Sequence, residues 1–264
     1  MSIITTNRPW QDSRSAGLEV DGADGGRRPD ICCRLAAAAL LAPALPLLAV
    51  SIALIRLTSW GPGVFRQTRV GLGGRPFTMY KLRTMRLDAE AATGPVWTQE
   101  NDPRVTFVGR WLRRLHLDEF PQLWNVIRGE MALVGPRPER PEFVHRLARQ
   151  IPGYLDRLCV PPGITGLAQI NLPPDTDLES VRRKLVLDLE YVECRSLHLD
   201  LRIFVATFLR LFHIRTAVLL GLLGLRRKPP AAPSGERADL NLLGLALVEE
   251  YPSLIEERRA PLEA

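Results

Sequence analysis

The sequence predicts a mostly helical, membrane-associated domain that contains one small β-hairpin. Residues 35–55 carry no charged side chain, which is the composition of a segment in contact with lipid. Several later segments repeat apolar residues at the spacing of a helix. Residues 64–80 combine β-prone runs with glycine turns, which is typical of a hairpin. A chain of 264 residues suits one folded domain with appendages.

The first residues carry little structural signal, and the overall composition is basic. Residues 1–30 are rich in Gly, Asp, Ser and Arg without apolar periodicity, so we expect a disordered leader. The chain has 35 Lys and Arg against 29 Asp and Glu, a formal charge of +6. This balance favours anionic partners, namely nucleic acid, acidic lipid headgroups or phosphorylated substrates, and does not choose among them.

Residues 31–57 form the predicted membrane helix. Its uncharged run is long enough to span the hydrocarbon core of about 30 Å, so a straight transmembrane helix is one interpretation. Pro43 and Pro46 each remove a backbone hydrogen bond, and arginines flank both ends of the run. Because arginines favour the cytoplasmic side, we predict a re-entrant helix, bent at the prolines, that enters and leaves by that face. A cleaved signal peptide is the third interpretation.

The four cysteines do not predict a zinc site. Cys32, Cys33, Cys159 and Cys194 have no C-x-x-C spacing, and only His198 is close to any of them. We interpret them as reduced thiols on the cytoplasmic side of a membrane. Cys32 and Cys33 are either buried as small apolar residues or acylated.

The segments after the membrane helix predict a hairpin and then helices. The hairpin turn is Gly71-Leu72-Gly73-Gly74, for which a phosphate loop is the alternative. Apolar spacing predicts helices at residues 104–117, 121–128, 139–150 and 178–193.

A second apolar stretch at residues 201–225 is interrupted by charge. Arg202, Arg210, His213 and Arg215 make a membrane span costly. We predict an interfacial amphipathic helix, with an ordinary core helix as the alternative. Three prolines in residues 226–237 predict a linker, and residues 240–251 a short helix.

The most informative segment, residues 109–142, places the adjacent carboxylates of Asp118 and Glu119 among arginines. Guanidinium groups match phosphate oxygens bidentately, and a carboxylate can act as a nucleophile toward phosphorus. The segment therefore predicts phosphate chemistry. The arginines are Arg110, Arg113, Arg114, Arg128, Arg137 and Arg140.

Local sequence predicts how this pair is held. Pro121 favours a helix start, which would put both carboxylates at a helix mouth that attracts anions. If the preceding helix ran through Leu117, Arg114 would lie one turn before Asp118 and hold it ionised.

Three further features complete the predicted site. Pro136 and Pro138 stiffen the backbone around Arg137, which would aim that side chain at a fixed point. His116 is either a general acid or base, or a packed orienting residue. Mg²⁺ is expected because phosphoryl transfer generally needs a divalent cation, and Asp118 is the first candidate ligand.

Ordered motifs run through residues 31–212. After the apolar-Pro-apolar segment they are IRLTSWGPGVFRQTRVG, MYKLRTM, DPRVTFVGRWLRR, LDEFPQLWNVIRGEMALVGPRP, PGITGLAQIN and LDLEYV. Together they resemble the bacterial sugar transferases that start polysaccharide or glycan assembly, the monotopic polyprenyl-phosphate phosphoglycosyl transferases. The resemblance implies a nucleoside-diphosphate sugar donor, usually a uridine one, a polyprenyl phosphate acceptor and release of a nucleoside monophosphate.

The resemblance also implies residue roles. Asp118 would attack the sugar-bearing phosphorus and form a covalent phosphosugar enzyme, and Glu119 would act as base toward the acceptor, with Mg²⁺ at the pair. Arg113 and Arg137 would bind phosphate, and the further phosphate-binding candidates are Arg114, Lys81 and Arg83.

The expected arrangement is a catalytic domain at residues 58–213 on the cytoplasmic face of the inner membrane, with an extension at 214–264. Nucleic acid is not expected as a partner, and a homodimer is left open. The family's Ser-Pro bend is replaced by Leu45-Pro46, with Pro43 extra, and the extension has no counterpart in the resemblance. A non-enzymatic basic membrane scaffold and a direct glycosyl transferase are the alternatives. Donor sugar, prenyl length and pathway are not predicted.

Overall fold

The computed structural model describes residues 29–89, 102–211 and 216–227. Most of the predicted leader and linker, and all of the predicted helix at 240–251, therefore lie outside the described residues. His213 and Arg215 of the second apolar stretch lie outside them as well.

The described residues are mostly helical, as predicted, with two small two-stranded sheets. The strands are β1 (Val64–Val70), β2 (Pro76–Leu82), β3 (Ala132–Val134) and β4 (Gly163–Thr165). The helices are α1 (Ile31–Thr58), α2 (Phe107–Arg114), α3 (Gln122–Ile127), α4 (Pro141–Gln150), α5 (Leu167–Asn171), α6 (Leu178–Cys194), α7 (Leu197–Leu211) and α8 (Thr216–Leu222).

Helix α1 is long and apolar enough to cross a membrane. It continues through Pro43 and Pro46, so the bend at these prolines remains a prediction. Its buried side chains recur at helical spacing and form one face along the helix. These are Ala37, Ala44, Leu48, Ser51 and Ile55. The apolar side chains of Leu35, Leu45 and Leu57 are exposed, so α1 lies lengthwise on the domain with an apolar outer surface.

Both ends of α1 are fastened to the same domain. Near its start, Arg34 Nε donates a 2.7 Å hydrogen bond to the carbonyl oxygen of Ile127 at the end of α3. Just after its end, the carbonyl oxygens of Ser59 and Trp60 accept hydrogen bonds from Arg83 at 2.9 and 2.7 Å. The domain thus binds α1 in its first turn and again at the two residues that follow the helix.

The predicted hairpin is confirmed. Strands β1 and β2 pair antiparallel from Val64 opposite Leu82 to Val70 opposite Pro76. Gly73 and Gly74 have φ angles of 62° and 80°, in the left-handed region that favours glycine, and they close the turn. Residues 71–74 therefore form the predicted hairpin turn.

The second sheet was not predicted. Strands β3 and β4 pair in parallel, with Ala132 opposite Gly163 and Val134 opposite Thr165. The backbones approach so closely that a Cβ added at Gly163 would collide with the backbone of Gly135. This contact holds the start of the Gly135–Pro138 loop against β4.

The helix predicted at 104–117 is wrong at both ends, because α2 occupies only Phe107–Arg114. Val105 forms a β-bridge with Met85, and the side chain of Thr106 caps the helix by accepting a 3.0 Å hydrogen bond from Gly109 N. His116 adopts a left-handed conformation with φ of 53°, which stops helical continuation. The other three predicted helices are confirmed as α3, α4 and α6.

The stretch predicted as one helix at 201–225 contains most of α7 and all of α8. Arg202 donates to the carbonyl oxygen of Leu223, which ties the end of α8 to α7. Leu219, Leu220 and Leu225 are buried in a core shared with α6 and α7. Packing therefore continues past residue 214, where the extension was expected to begin.

Candidate active site

The acidic pair lies in a short turn between α2 and α3. Leu117–Glu119 form one turn of 3-10 helix, and His116 immediately before it has the left-handed backbone. This conformation is strained for a residue other than glycine, and such strain often accompanies functional sites. Pro121, with φ of −60°, leads directly into α3. The pair therefore lies just before a helix, as predicted, although α2 ends before reaching it.

Glu119 is bound by Arg137. Arg137 Nη2 donates a 2.7 Å hydrogen bond to Glu119 Oε1, and the two groups form an ion pair between half-buried side chains. Burial alone would raise the pKa of Glu119, but the charge and hydrogen bond of Arg137, with the charge of Lys81, bring it below its usual value. Glu119 is therefore held as an anion.

The loop that carries Arg137 is fixed from two sides. Gly135 N donates to the Thr165 carbonyl at 2.8 Å, so β3 and β4 hold its beginning. On the other side, Arg157 Nη2 donates a 2.7 Å hydrogen bond to the carbonyl oxygen of Arg137. Arg157 also forms a 2.8 Å ion pair with Asp188 of α6. Both side chains are buried, with 2% of Arg157 and 3% of Asp188 exposed. The loop that the two prolines are predicted to stiffen is thus also held by contacts with β4 and Arg157.

Asp118 has a different electrostatic environment from Glu119. Burial and the neighbouring Glu119 charge raise the pKa of Asp118, and the charges of Lys81, Arg113 and Arg137 oppose this rise. The two adjacent carboxylates therefore differ: the pKa of Glu119 is lowered and that of Asp118 is raised.

Lys81 and Arg113 come to this site from β2 and α2. Burial, together with the charges of Arg69 and Arg137, lowers the pKa of Lys81 to about 8. Arg113 Nε donates a 2.9 Å hydrogen bond to Thr84 Oγ1, which steadies its guanidinium beside Asp118. Lys81, Arg113 and Arg137 therefore surround the acidic pair with positive charge.

Arg114 and Arg83, also predicted at the site, have other partners. The guanidinium of Arg114 lies 5.4 Å from the ring centroid of Trp111 on its own helix. Because α2 ends at Arg114, this residue does not precede Asp118 by a continuous helical turn. Arg83 is buried and donates to the residues at the end of α1, so the structure uses it to attach that helix.

The charged groups next to the Arg137 loop were not predicted from the sequence. Arg69 donates to the Pro138 carbonyl at 2.9 Å and pairs with Glu139. Lys184 and Arg69 bring the pKa of Glu139 to about 2, although burial acts in the opposite direction. The signal available was the position of Glu139, directly after the proline loop. Within the described ranges, no group of three or more His, Cys, Asp or Glu side chains forms a candidate metal cluster.

Comparison with known protein families matches residues 27–214 to the bacterial sugar transferases. The chain belongs to the bacterial sugar transferase family. The resemblance stated from its motifs is thereby confirmed. The match includes the D-E pair, the Arg137 loop and all of α1, and it ends before α8.

Several relatives of this sugar transferase carry functional names. A Bacillus subtilis protein, provisionally named an undecaprenyl-phosphate N-acetylgalactosaminyl 1-phosphate transferase, is 52% identical over 45% of this chain and 65% of its own. The UDP-glucose:undecaprenyl-phosphate glucose-1-phosphate transferase of Caulobacter vibrioides is 45% identical over 66% of this chain and 65% of its own. The exopolysaccharide production protein PSS of Rhizobium leguminosarum is 39% identical over 67% of this chain and 90% of its own. The chain thus spans just under two thirds of the first two relatives.

Proposed function

We propose that this sugar transferase moves a sugar 1-phosphate from a UDP-sugar to undecaprenyl phosphate and releases UMP. The product would be an undecaprenyl-diphosphate sugar, the first intermediate of a polysaccharide or glycan. The names of the Bacillus and Caulobacter relatives both include undecaprenyl phosphate and a sugar 1-phosphate, and the Caulobacter name also includes a UDP-sugar donor. One observation carries the proposal: two adjacent carboxylates of unlike electrostatic environment lie within reach of the positive charges of Lys81, Arg113 and Arg137.

Asp118 is the proposed nucleophile. Glu119 is engaged by Arg137, whereas Asp118 has a raised pKa, which makes its ionised form the more basic of the two. A carboxylate oxygen of Asp118 would attack the sugar-bearing phosphorus of the donor. The bond from that phosphorus to the bridging oxygen of the diphosphate breaks, and UMP leaves with the electron pair. The enzyme then holds the sugar phosphate as an acyl phosphate.

The second step returns the enzyme to its starting state. An oxygen of undecaprenyl phosphate attacks the same phosphorus, and the bond to Asp118 breaks with release of the carboxylate. Glu119, held as an anion by Arg137, can accept a proton from the acceptor phosphate. Arg113, Arg137 and the Lys81 ammonium would offset the charge that gathers on the phosphate oxygens. A water-soluble donor and a lipid acceptor can thus use one site in turn.

The residues present fit one Mg²⁺ ion held by a single carboxylate. Mg²⁺ commonly binds one or two carboxylates and completes its shell with substrate phosphates and water. Asp118 is the candidate ligand, since Glu119 already pairs with Arg137. When bound, the ion would neutralise phosphate oxygens during displacement.

The contacts of α1 favour a re-entrant geometry over a straight span. A straight span would separate its ends by the hydrocarbon thickness of about 30 Å, on opposite faces of the bilayer. Instead, Arg34 and Arg83 attach both ends to one domain. A bend at Pro43 and Pro46 would let the helix enter the membrane and return. The catalytic domain would then lie on the cytoplasmic face of the inner membrane.

Exposed apolar side chains outside α1 support contact with the same membrane surface. On α2, Phe107 and Trp111 are exposed one turn apart, and Leu115 follows at the same spacing. On α7, Leu197 and Leu201 are exposed at the same spacing. We propose that both helices lie in the interface, which places the acidic pair at the depth of lipid phosphates.

The nucleotide that leaves the donor tests the proposed function. Full-length protein in detergent, given undecaprenyl phosphate and either UDP-glucose or UDP-N-acetylgalactosamine, should release UMP. Asp118→Asn should abolish the release. UDP as the product would instead indicate direct glycosyl transfer, and no nucleotide release from a panel of UDP-sugars would favour the scaffold alternative.

A further inference from the structure

Asn125 of α3 is fully buried and uses its whole side-chain amide. Its Oδ1 accepts a 3.1 Å hydrogen bond from Tyr80 N, and its Nδ2 donates to the Thr78 carbonyl at 2.7 Å. Nδ2 also donates to Glu130 Oε2 at 2.7 Å. Removal of this amide would be costly, because it would leave buried polar groups on β2 without a partner.

The two bonds to β2 reproduce those of a neighbouring strand. In a strand, the carbonyl of one residue and the N–H two residues later face the same edge, as the Thr78 carbonyl and Tyr80 N–H do here. The amide of Asn125 offers one acceptor and one donor to that edge. Strand β1 pairs with β2 on the other side. Asn125 therefore occupies the place that a further strand would take.

This link joins the two segments that carry opposite charges at the active site. Lys81 directly follows Tyr80 on β2, and α3 begins immediately after the turn that carries Asp118 and Glu119. The charge of Lys81 acts on both carboxylates. The relative position of α3 and β2 thus sets the distance between the ammonium and the acidic pair.

We propose that Asn125 is a positioning residue for the transfer reaction: by pairing with the edge of β2, it fixes Lys81 relative to Asp118 and Glu119. The inference rests on the proposed function. Asn125 itself lies within the protein, behind the reacting groups, and acts through Lys81. A small shift of α3 on β2 would separate the charges, and a misplacement of about 1 Å can cost as much as about 100-fold in rate.

Asn171 provides a matched control. Its Nδ2 donates to the carbonyl oxygens of Leu167 and Leu225 at 2.9 and 3.0 Å, and its Oδ1 accepts from Arg227 N at 3.0 Å. Like Asn125 it makes three side-chain hydrogen bonds, but one lies within α5 and the other two link α5 to Leu225 and Arg227, after α8. Alanine at either position removes the same group, and only position 125 should affect the phosphate site.

The test is a double-mutant cycle on UMP release by the full chain, below the melting temperature of every variant. We expect Asn125→Ala to lower kcat by about 10- to 100-fold with KM changed less than about threefold. Lys81→Met should remove the target of that effect, so adding Asn125→Ala to it should lower kcat by less than about threefold. Asn171→Ala should leave kcat within about threefold.

Independent effects would overturn the inference: if the losses from Asn125→Ala and Lys81→Met multiply, or if Asn125→Ala matches Asn171→Ala, Asn125 has no positioning role. Should the alanine variant fail to fold, Asn125→Ser introduces no charge and keeps a hydroxyl that can bond one of the former partners, and the same cycle applies. Failure of the proposed function would look different, because the unsubstituted protein would then release no UMP.

Discussion

Asp118 and Glu119 are adjacent in the chain, yet their carboxylates meet different partners. Arg137 bonds to Glu119, whereas burial and the Glu119 charge raise the pKa of Asp118. The sequence indicated both residues because they stand side by side among arginines. It could not indicate which of them Arg137 would bind, since that depends on how the Gly135–Pro138 loop packs against β4 and Arg157.

The protonation of Lys81 predicts the alkaline limit of activity. Its lowered pKa, about 8, means that the ammonium loses its proton as pH rises through about 8 instead of near 10.5. Activity should therefore fall on the alkaline side of pH 8, because the ammonium group proposed to bind the phosphate groups loses its charge. Lys81→Arg keeps its charge and should move the decline to higher pH.

The measurement is UMP release across pH 6–10 for both proteins, at saturating substrate. An unchanged decline near pH 8 in the arginine variant would show that another group titrates there. Loss of activity at all pH values in that variant would show that the geometry of the lysine side chain is needed as well as its charge.

At the scale of elements, local signals predicted some structures and missed others. The hairpin and α6 were predictable, since glycine turns and helical spacing lie within single short segments. Strands β3 and β4 were not, because each has three residues and the partners are distant in sequence. The end of α2 was missed because His116 adopts a conformation that sequence periodicity does not report.

The buried ion pair behind the Arg137 loop predicts a large stability effect. Asp188→Asn leaves the buried guanidinium of Arg157 without its counter-charge, which should cost about 3–5 kcal/mol of unfolding free energy. Glu179→Gln, in the more exposed pair with Arg182, should cost at most about 1 kcal/mol. Thermal or denaturant unfolding in detergent measures both, and equal effects would contradict the role given to the buried pair.

The close contact of β3 and β4 predicts that glycine is required at position 163. Gly163→Ala would push a methyl group into the backbone of Gly135 and should destabilise the fold by about 1–3 kcal/mol. Gly221 on α8 has open space around its missing Cβ, so Gly221→Ala should change stability by no more than about 1 kcal/mol. An unchanged free energy of unfolding in Gly163→Ala would show that the two strands can move apart without loss of stability.

At the scale of the whole molecule, the attachment of α1 decides how the domain meets the membrane. The sequence predicted an apolar helix with arginines at both ends, and the structure adds that both ends rest on one domain. Composition alone could not separate a span from a re-entrant helix, because both need a similar apolar run. The contacts of Arg34 and Arg83 with the rest of the chain support the proposed re-entrant helix over a straight span.

Accessibility of the two ends of α1 tests its topology. In a variant whose other cysteines are replaced by serine, native Cys32 probes the exposed start of the helix, and Trp60→Cys probes the exposed residue after its end. A membrane-impermeant maleimide should label both positions from the cytoplasmic face, in inside-out vesicles. Labelling of the two positions from opposite faces would establish a span and exclude the re-entrant helix.

The role proposed for Asp118 is to carry the sugar phosphate between donor and acceptor. It is tested most directly by the intact mass of the protein after incubation with a UDP-sugar that supports turnover, in the absence of undecaprenyl phosphate. We expect a gain of one sugar phosphate per molecule at Asp118, with an equal amount of UMP released, and neither change in Asp118→Asn. UMP release that occurs only when acceptor is present, with no gain in protein mass, would contradict it.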